Sequence, residues 1–194
     1  MPRTPDPQLE QHVTRATLRL LDAGGLSATT LRAIAREAHT TTPTIYERFA
    51  DRDQLLASVR KEAELELLDA IGQAHTVSGF IKRYLEFSVH HPHRFELMAD
   101  TFGFRLAAGQ SMPVYELLKE QLTKQVGIHG TKREQLAMAI ASLALGTTRG
   151  IIAAGSGTSA AKDLYRTCLA ALQLLLKSFS VMHTGPDNAG KVPG

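Results

Sequence analysis

The sequence predicts an all-α protein of about nine helices, with a three-helix N-terminal segment of helix-turn-helix type and a larger helical body. Three observations carry this. Apolar residues recur at three- and four-residue intervals along most of the chain, as in Leu9, Val13, Ala16, Leu20 and again in Leu55, Leu56, Val59, Ala63, Leu67. No segment alternates as a half-buried strand does, and no internal repeat occurs. The gaps between periodic stretches hold Gly, Pro and Thr, the residues that stop and start helices.

Residues 1–7 contain three prolines and read as a flexible lead. The first helix runs roughly from Pro7 to Ala23, and Gly24-Gly25 ends it. Thr30 is a good N-cap for a short helix bearing Leu31, Ile34 and Ala35 on one face. That pattern stops at Ala38-His39. Thr40, Thr41 and Thr42 follow, any of which can cap the next helix, and Pro43 suits its first turn because its missing N–H is not needed there. Ile45 and Phe49 point inward, which leaves Thr42, Thr44, Tyr46 and Arg48 on or beside the outer surface. Asp51 caps a long fourth helix from Arg52 to about Ala74.

In the body, Thr76 or Ser78 opens a fifth helix that ends at His90-His91-Pro92. Pro92 starts a sixth, carrying Phe95, Met98, Ala99, Phe102 and Leu106, before a break at Gly109-Gln110-Ser111. Pro113 starts a seventh, closed by Gly127. Thr131 and Glu134 form a capping box for the eighth, which runs to about Ala154. The ninth spans about Ser159 to Val181, and its stretch LAALQLLLKSF is apolar nearly all round, so several of its sides need cover. From His183 the composition is that of a disordered tail.

Two short helices around a tight turn, the second with a small polar N-terminus, is the helix-turn-helix plan, in which the second helix enters the DNA major groove. The stretch GLSATTLRAIAREAHTTTPTIYERFADRDQLL resembles the DNA-binding domain of the tetracycline-repressor (TetR/AcrR) family. The residues that carry the resemblance are Gly25, Thr30, Ile34-Ala35, Thr44-Ile45-Tyr46, Phe49 and Asp51-Arg52-Asp53-Gln54-Leu55. It covers about a quarter of the chain, and several features at fixed spacing agree. Three positions depart from the family pattern: His39 replaces a turn glycine, Arg48 a common His and Arg52 a common Lys. His tolerates positive φ better than most non-glycine residues. A second, weaker likeness to family members lies in His91-Pro92-His93-Arg94-Phe95-Glu96-Leu97-Met98 and Arg149-Gly150.

The resemblance implies a DNA-binding domain over 1–52, a ligand-binding and dimerisation domain over 53–182 and a tail over 183–194. It implies a ligand-responsive transcriptional regulator, most simply a repressor. A homodimer through the last two helices, about 131–154 and 159–181, would bind a roughly palindromic double-stranded operator, and a small apolar effector would release it through the fourth helix. Candidate DNA contacts are Thr30, Arg32, Thr40, Thr41, Thr42, Pro43, Thr44, Tyr46, Arg48 and Arg52, with Tyr46 resembling the family's phosphate-contacting tyrosine. Thr41 or Thr42 read equally well as a cap alone. No Arg, Asn or Gln opens the second helix, so base reading would rest on thymine methyls, water or DNA shape. Candidate effector contacts are Phe80, Tyr84, Phe87, Met98, Phe102, Phe104, Tyr115, Leu118 and Arg149, though aromatics at helical spacing are, taken singly, more often core.

Other classes fit less well. His90, His91 and His93 straddle a proline with no cysteine near, which favours helix-end and pocket roles over a metal. Ser88 and His91 are the nearest nucleophile and base, but no nucleophile elbow, P-loop or dinucleotide fingerprint occurs, so no enzyme and no cofactor is expected. The rival is a helical interaction module without specific DNA binding. Net charge is +3, and residues 1–50 hold six arginines against five acids, so any basic patch depends on placement. One cysteine, Cys168, suits a reducing cytoplasm. MPRTPDPQ has no apolar run of signal-peptide type, and no charge-free apolar stretch reaches the ~18 residues of a membrane span.

Overall fold

The computed structural model describes residues 7–181. The expected lead before Pro7 and tail from His183 lie outside the described residues. Ten helices are present, and no strand occurs among the described residues. They are α1 (Pro7–Ala28), α2 (Leu31–Glu37), α3 (Thr42–Tyr46), α4 (Arg52–Gly72), α5 (Val77–His90), α6 (Pro92–Ala99), α7 (Phe102–Ala107), α8 (Pro113–Val126), α9 (Gly130–Ala154) and α10 (Ser159–Val181). The count differs from the expected nine at one place. The single helix read from Pro92 onward is broken at Asp100-Thr101 into α6 and α7, with the Thr101 hydroxyl donating to the Met98 carbonyl (3.1 Å).

The chain divides into two compact units, residues 7–72 with 86–113 and residues 73–85 with 114–181. In the first, α1 packs against α2, α4 and α6. Its core joins Val13, Ala16, Leu18 and Leu21 of α1 to Ile34, Ala35, Ile45, Phe49, Leu55, Val59 and Ala63. Leu97 of α6 belongs to the same core. α1 loses helical geometry at Gly24 and Gly25, as expected, and Gly25 adopts φ +67°. A Cβ there would stand 3.1 Å from Nδ1 of His93, so the backbone favours glycine and the space beside it is tight. Asp51 caps α4 by accepting from the Gln54 N–H (2.8 Å), and Gln54 reaches back to the Ala50 N–H.

In the second unit α9 packs along α10. A Cβ on Gly150 would lie 3.1 Å from Leu164, so the small residue permits the close approach. The Gln125 side chain accepts from the Val77 N–H (2.6 Å), and Lys119 of α8 reaches Glu134 of α9 (3.5 Å). The expected Thr131–Glu134 capping box does not form. α9 begins earlier, at Gly130, with His129 as a cap that makes no side-chain bond, and Glu134 is drawn instead to Arg133 (2.9 Å) and Lys119. By length and composition α9 passes as a membrane span, with mean hydropathy 1.6, although many of its residues, Leu136, Ile140, Ala144 and Ile151 among them, are buried within the protein.

Candidate nucleic-acid interface

The interface is built from local bonds. Thr30 is extended (φ −74°, ψ 148°) and its hydroxyl accepts from the Ala33 N–H at 3.3 Å, which starts α2. α2 ends in a Schellman turn. The Thr40 N–H reaches the Ala35 carbonyl (2.9 Å) and the His39 N–H reaches that of Arg36 (3.2 Å), with His39 left-handed at φ +48° between them. Histidine therefore holds the place that glycine usually takes, as the sequence led one to expect.

Thr41 caps α3. Its hydroxyl accepts from the Thr44 N–H (3.3 Å) and shares a hydrogen with the Thr44 hydroxyl (Oγ1–Oγ1 2.8 Å). Of the two hydroxyl hydrogens, one is held in that pair and one stays available to an outside acceptor. Pro43 sits in the first turn. Ile45 and Phe49 are buried and anchor α3 to the core. This leaves an outer face of Thr41, Pro43 and Tyr46, all exposed, with Thr40, Thr42 and Thr44 half-buried beside them. Tyr46 is 51% exposed, a large aromatic in water on a well-anchored helix.

The arginines divide by role. Arg32 is exposed on α2. Arg48 is half-buried and its Nε is buried without a partner. Arg52, expected to reach phosphate, donates from Nη2 to the Leu26 carbonyl (3.2 Å) and the Thr29 hydroxyl (3.1 Å). It clamps the start of α4 to the turn before α2, so part of its role lies inside the fold. Arg19 pairs with Glu37 at 2.7 Å, and that bond holds the exposed Glu37 carboxyl below its ordinary range. The acids of this region are thus partly neutralised from within.

A buried charge cluster lies outside the candidate contacts. Arg94 on α6 is 9% exposed, and its guanidinium holds Asp22 of α1 through Nε (2.7 Å) and Nη2 (2.6 Å) and Glu66 of α4 through Nη1. These bonds raise the affinity of Arg94 for its proton, that to Asp22 most. The available signal was a charge at i with Leu97 and Met98 at i+3 and i+4, on the apolar face of its helix. Arg60 adds a bond to the Leu97 carbonyl (3.2 Å), and Arg105 pairs with Glu64.

The candidate effector residues are spread over both units. Phe80, Tyr115 and Leu118 are buried, while Tyr84, Phe87 and Phe102 are half-buried. Phe104 is 72% exposed, and Arg149 faces outward. Met98 is partly buried and packs against the core of the first unit, which also holds Leu97. Ser88, fully buried on α5, has a hydroxyl with no partner. The three histidines each have other work. His90 Nδ1 lies 2.7 Å from the Glu86 carbonyl, the His91 ring lies 4.8 Å from that of Phe87, and His93 covers Gly25.

Comparison with known proteins follows this geometry. Residues 13–59 match the model of bacterial regulatory proteins, tetR family. No curated protein matches. Among solved structures, BioQ of Mycobacterium smegmatis is similar over 89% of this chain and 97% of its own, at 22% identity and a TM-score of 0.65. SCO7222, a TetR from Streptomyces coelicolor, is similar over 90% and 98%, at 18% identity and a TM-score of 0.66. A structure of BioQ with its natural double-stranded DNA operator is similar over 88% and 97%, at 22% identity and a TM-score of 0.60. The matched head spans α1 through the first turns of α4, the same residues whose caps and core were derived above, and the fold of the whole is that of these regulators. Residues 13–59 thus form a head of the kind that the tetR-family model describes, on a fold shared with TetR-like regulators.

Proposed function

We propose that this regulator is a ligand-responsive repressor that binds a roughly palindromic double-stranded operator as a homodimer. The observation that carries the reading is the outer face of α3, with Thr41, Pro43 and Tyr46 in water on a helix anchored by Ile45 and Phe49. Tyr46, Arg32, Arg48 and the free hydroxyl hydrogen of the Thr41–Thr44 pair reach phosphates and base edges, and Thr30, Thr40 and Thr42 lie at the margin. Phosphate contacts position the head, and base contacts choose the sequence. Arg52 contributes charge while it holds α4. Functionally, residues 1–52 read DNA and 53–182 bind effector and partner.

Dimerisation through α9 and α10 is supported by Leu174, 66% exposed, and Leu164, 37% exposed, both on α10. A two-fold reader needs heads ~34 Å apart. The effector is a small apolar molecule. The orphan Ser88 hydroxyl, which carries a desolvation cost of about 1–3 kcal/mol, supports a polar group on that molecule. The effector binds the form that releases DNA more tightly and acts through α4. The protein works in the cytoplasm and has no catalytic role.

A module without DNA binding is the second reading, on the near-neutral charge of residues 1–50. The pairing of Asp22 and Glu37 within the fold weakens it. Fluorescence anisotropy on the duplex upstream of the protein's own gene, at several salt concentrations, separates the two. Binding that beats a scrambled duplex and weakens with salt supports the repressor. Absence of binding at low salt, with the protein folded and dimeric, removes it. Native mass spectrometry of the purified protein tests for a retained effector.

A further inference from the structure

We propose that Arg52 is a positioning residue for base reading: it pins the turn that starts α2 to the first residue of α4, and so holds α2, the turn and α3 in place against DNA. The inference rests on the DNA-binding reading above. It moves Arg52 from the phosphate contacts, where the family likeness put it, to the frame behind them.

The bonds close on themselves. Arg52 Nη2 has two hydrogens, and both go to neighbouring acceptors, the Leu26 carbonyl (3.2 Å) and the Thr29 hydroxyl (3.1 Å). The Thr29 hydroxyl donates in turn to the same Leu26 carbonyl (2.8 Å), and the Thr29 N–H points there as well (3.3 Å). Each bond therefore fixes the angle of the next. Thr29 is fully buried, so water has little room to replace the guanidinium on its hydroxyl. The donor is charged, which makes both Arg52 bonds stronger than neutral ones.

The position of Arg52 agrees with this role. It is the first residue of α4, where the helix dipole disfavours a cation. Helix stability gives no reason for an arginine there, whereas a grip on a carbonyl 26 positions earlier does. The grip also has leverage. Thr30, next to Thr29, caps α2 through the Ala33 N–H, and the turn bonds and the Thr41 cap join α2 to α3. These elements shift as one piece, which displays Arg32, Thr41 and Tyr46. Ile34, Ile45 and Phe49 seat the piece on the core, but apolar contact is non-directional. At its far end Glu37 pairs with Arg19, and both side chains are open to water, so that pair contributes little. The directional hold lies at the near end, with Arg52.

The test uses the full chain. A duplex recovered by selection from random sequence is compared with a scrambled one, at several salt concentrations and below the melting temperature of every variant. The variants are Arg52→Met, Thr29→Val, Thr29→Ser and the double variant Thr29→Val/Arg52→Met. Thr29 is buried and cannot touch DNA, so Thr29→Val reports on the frame alone. Arg52→Met should cut the preference for the selected duplex about tenfold, and Thr29→Val about threefold. The double variant should be no worse than Arg52→Met, because the two residues act through one bond. Thr29→Ser, which keeps the hydroxyl, should behave as wild type. The salt dependence should stay that of the wild type. Three results overturn the inference. One is a salt slope lowered by ~0.9 in Arg52→Met with both duplexes weakened alike, which assigns Arg52 to a phosphate. Another is losses that add in the double variant. The third is a lower melting temperature with the preference intact, which leaves Arg52 as support for the fold only. A wild type that selects no duplex at all overturns instead the DNA-binding reading.

Discussion

The α2–turn–α3 segment and α6 belong to the same compact unit, yet they are held in opposite ways. Every cap of the first is made within a few residues: Thr30 to Ala33, Thr40 to Ala35, Thr41 to Thr44. The polar anchors of α6 lie far off in sequence, with Asp22 72 positions and Glu66 28 positions from Arg94. Locally capped structure loses stability in steps of about 1 kcal/mol, one cap at a time. A segment seated on a distant core fails together with that core. The α2–turn–α3 segment is thus locally specified, while α6 is seated by residues up to 72 positions away.

Leu97→Ala puts the largest strain on this comparison. Leu97 is 5% exposed within the core that also holds Ile34 and Phe49. Truncating a buried leucine costs about 2–5 kcal/mol. The loss is expected in the head itself, as faster amide exchange in α1 to α3 and a lower urea midpoint for their unfolding. If exchange in α2 and α3 stays at the wild-type rate, α6 is only an appendage and the contrast fails.

What was legible in the sequence follows the same division. Thr30, Pro43, the Asp51 cap, the inward Ile45 and Phe49 and the left-handed His39 all express rules that act over five residues or fewer and stand where they were expected, and Thr41 is the one of three candidate threonines that caps α3. The break between α6 and α7 and the seating of Leu97 and Met98 on the head did not show, because no local rule says which core an apolar face will join. Arg94 was hidden for the same reason: its partners lie on two other helices. The Thr131–Glu134 box is absent because α9 starts before Thr131, at Gly130, and Glu134 pairs with Arg133 and Lys119.

The local side of the comparison is sharpened by His39. Its left-handed φ of +48° lies between the two turn bonds. His39→Val, β-branched and poorly tolerated there, is expected to cost about 1–2 kcal/mol, read as a lower melting temperature. His39→Gly should be neutral or slightly stabilising, since relief of strain is offset by the entropy glycine loses on folding. A valine variant as stable as wild type would show that the turn does not depend on this residue's conformation.

Thr41→Ala is expected to remove about 1 kcal/mol of cap stability and, on the reading proposed here, operator affinity as well. Thr30→Ala removes a cap of similar worth from α2. Measured side by side, the two should lower stability alike, with the larger loss of operator binding at Thr41. Equal losses of affinity would mean that Thr41 serves only as a cap.

The smallest effect belongs to α6 and depends on pH. Burial pushes the His91 imidazole below its ordinary value near about 6.5, and Arg94 pushes it the same way, with His90 adding to this and Asp22 and Glu66 opposing. Above that ordinary value neither the folded nor the unfolded chain protonates this ring, so its contribution to stability is fully present. As pH falls through the window between 6.5 and the lower folded value, the unfolded chain takes up a proton first, and stability is lost. His91→Gln should therefore lose less stability than wild type between pH 7.5 and pH 5, judged by urea midpoints. An equal acid loss in both would assign that loss to other groups, and would mean that the polar seat of α6 is insensitive to the ring packed against Phe87.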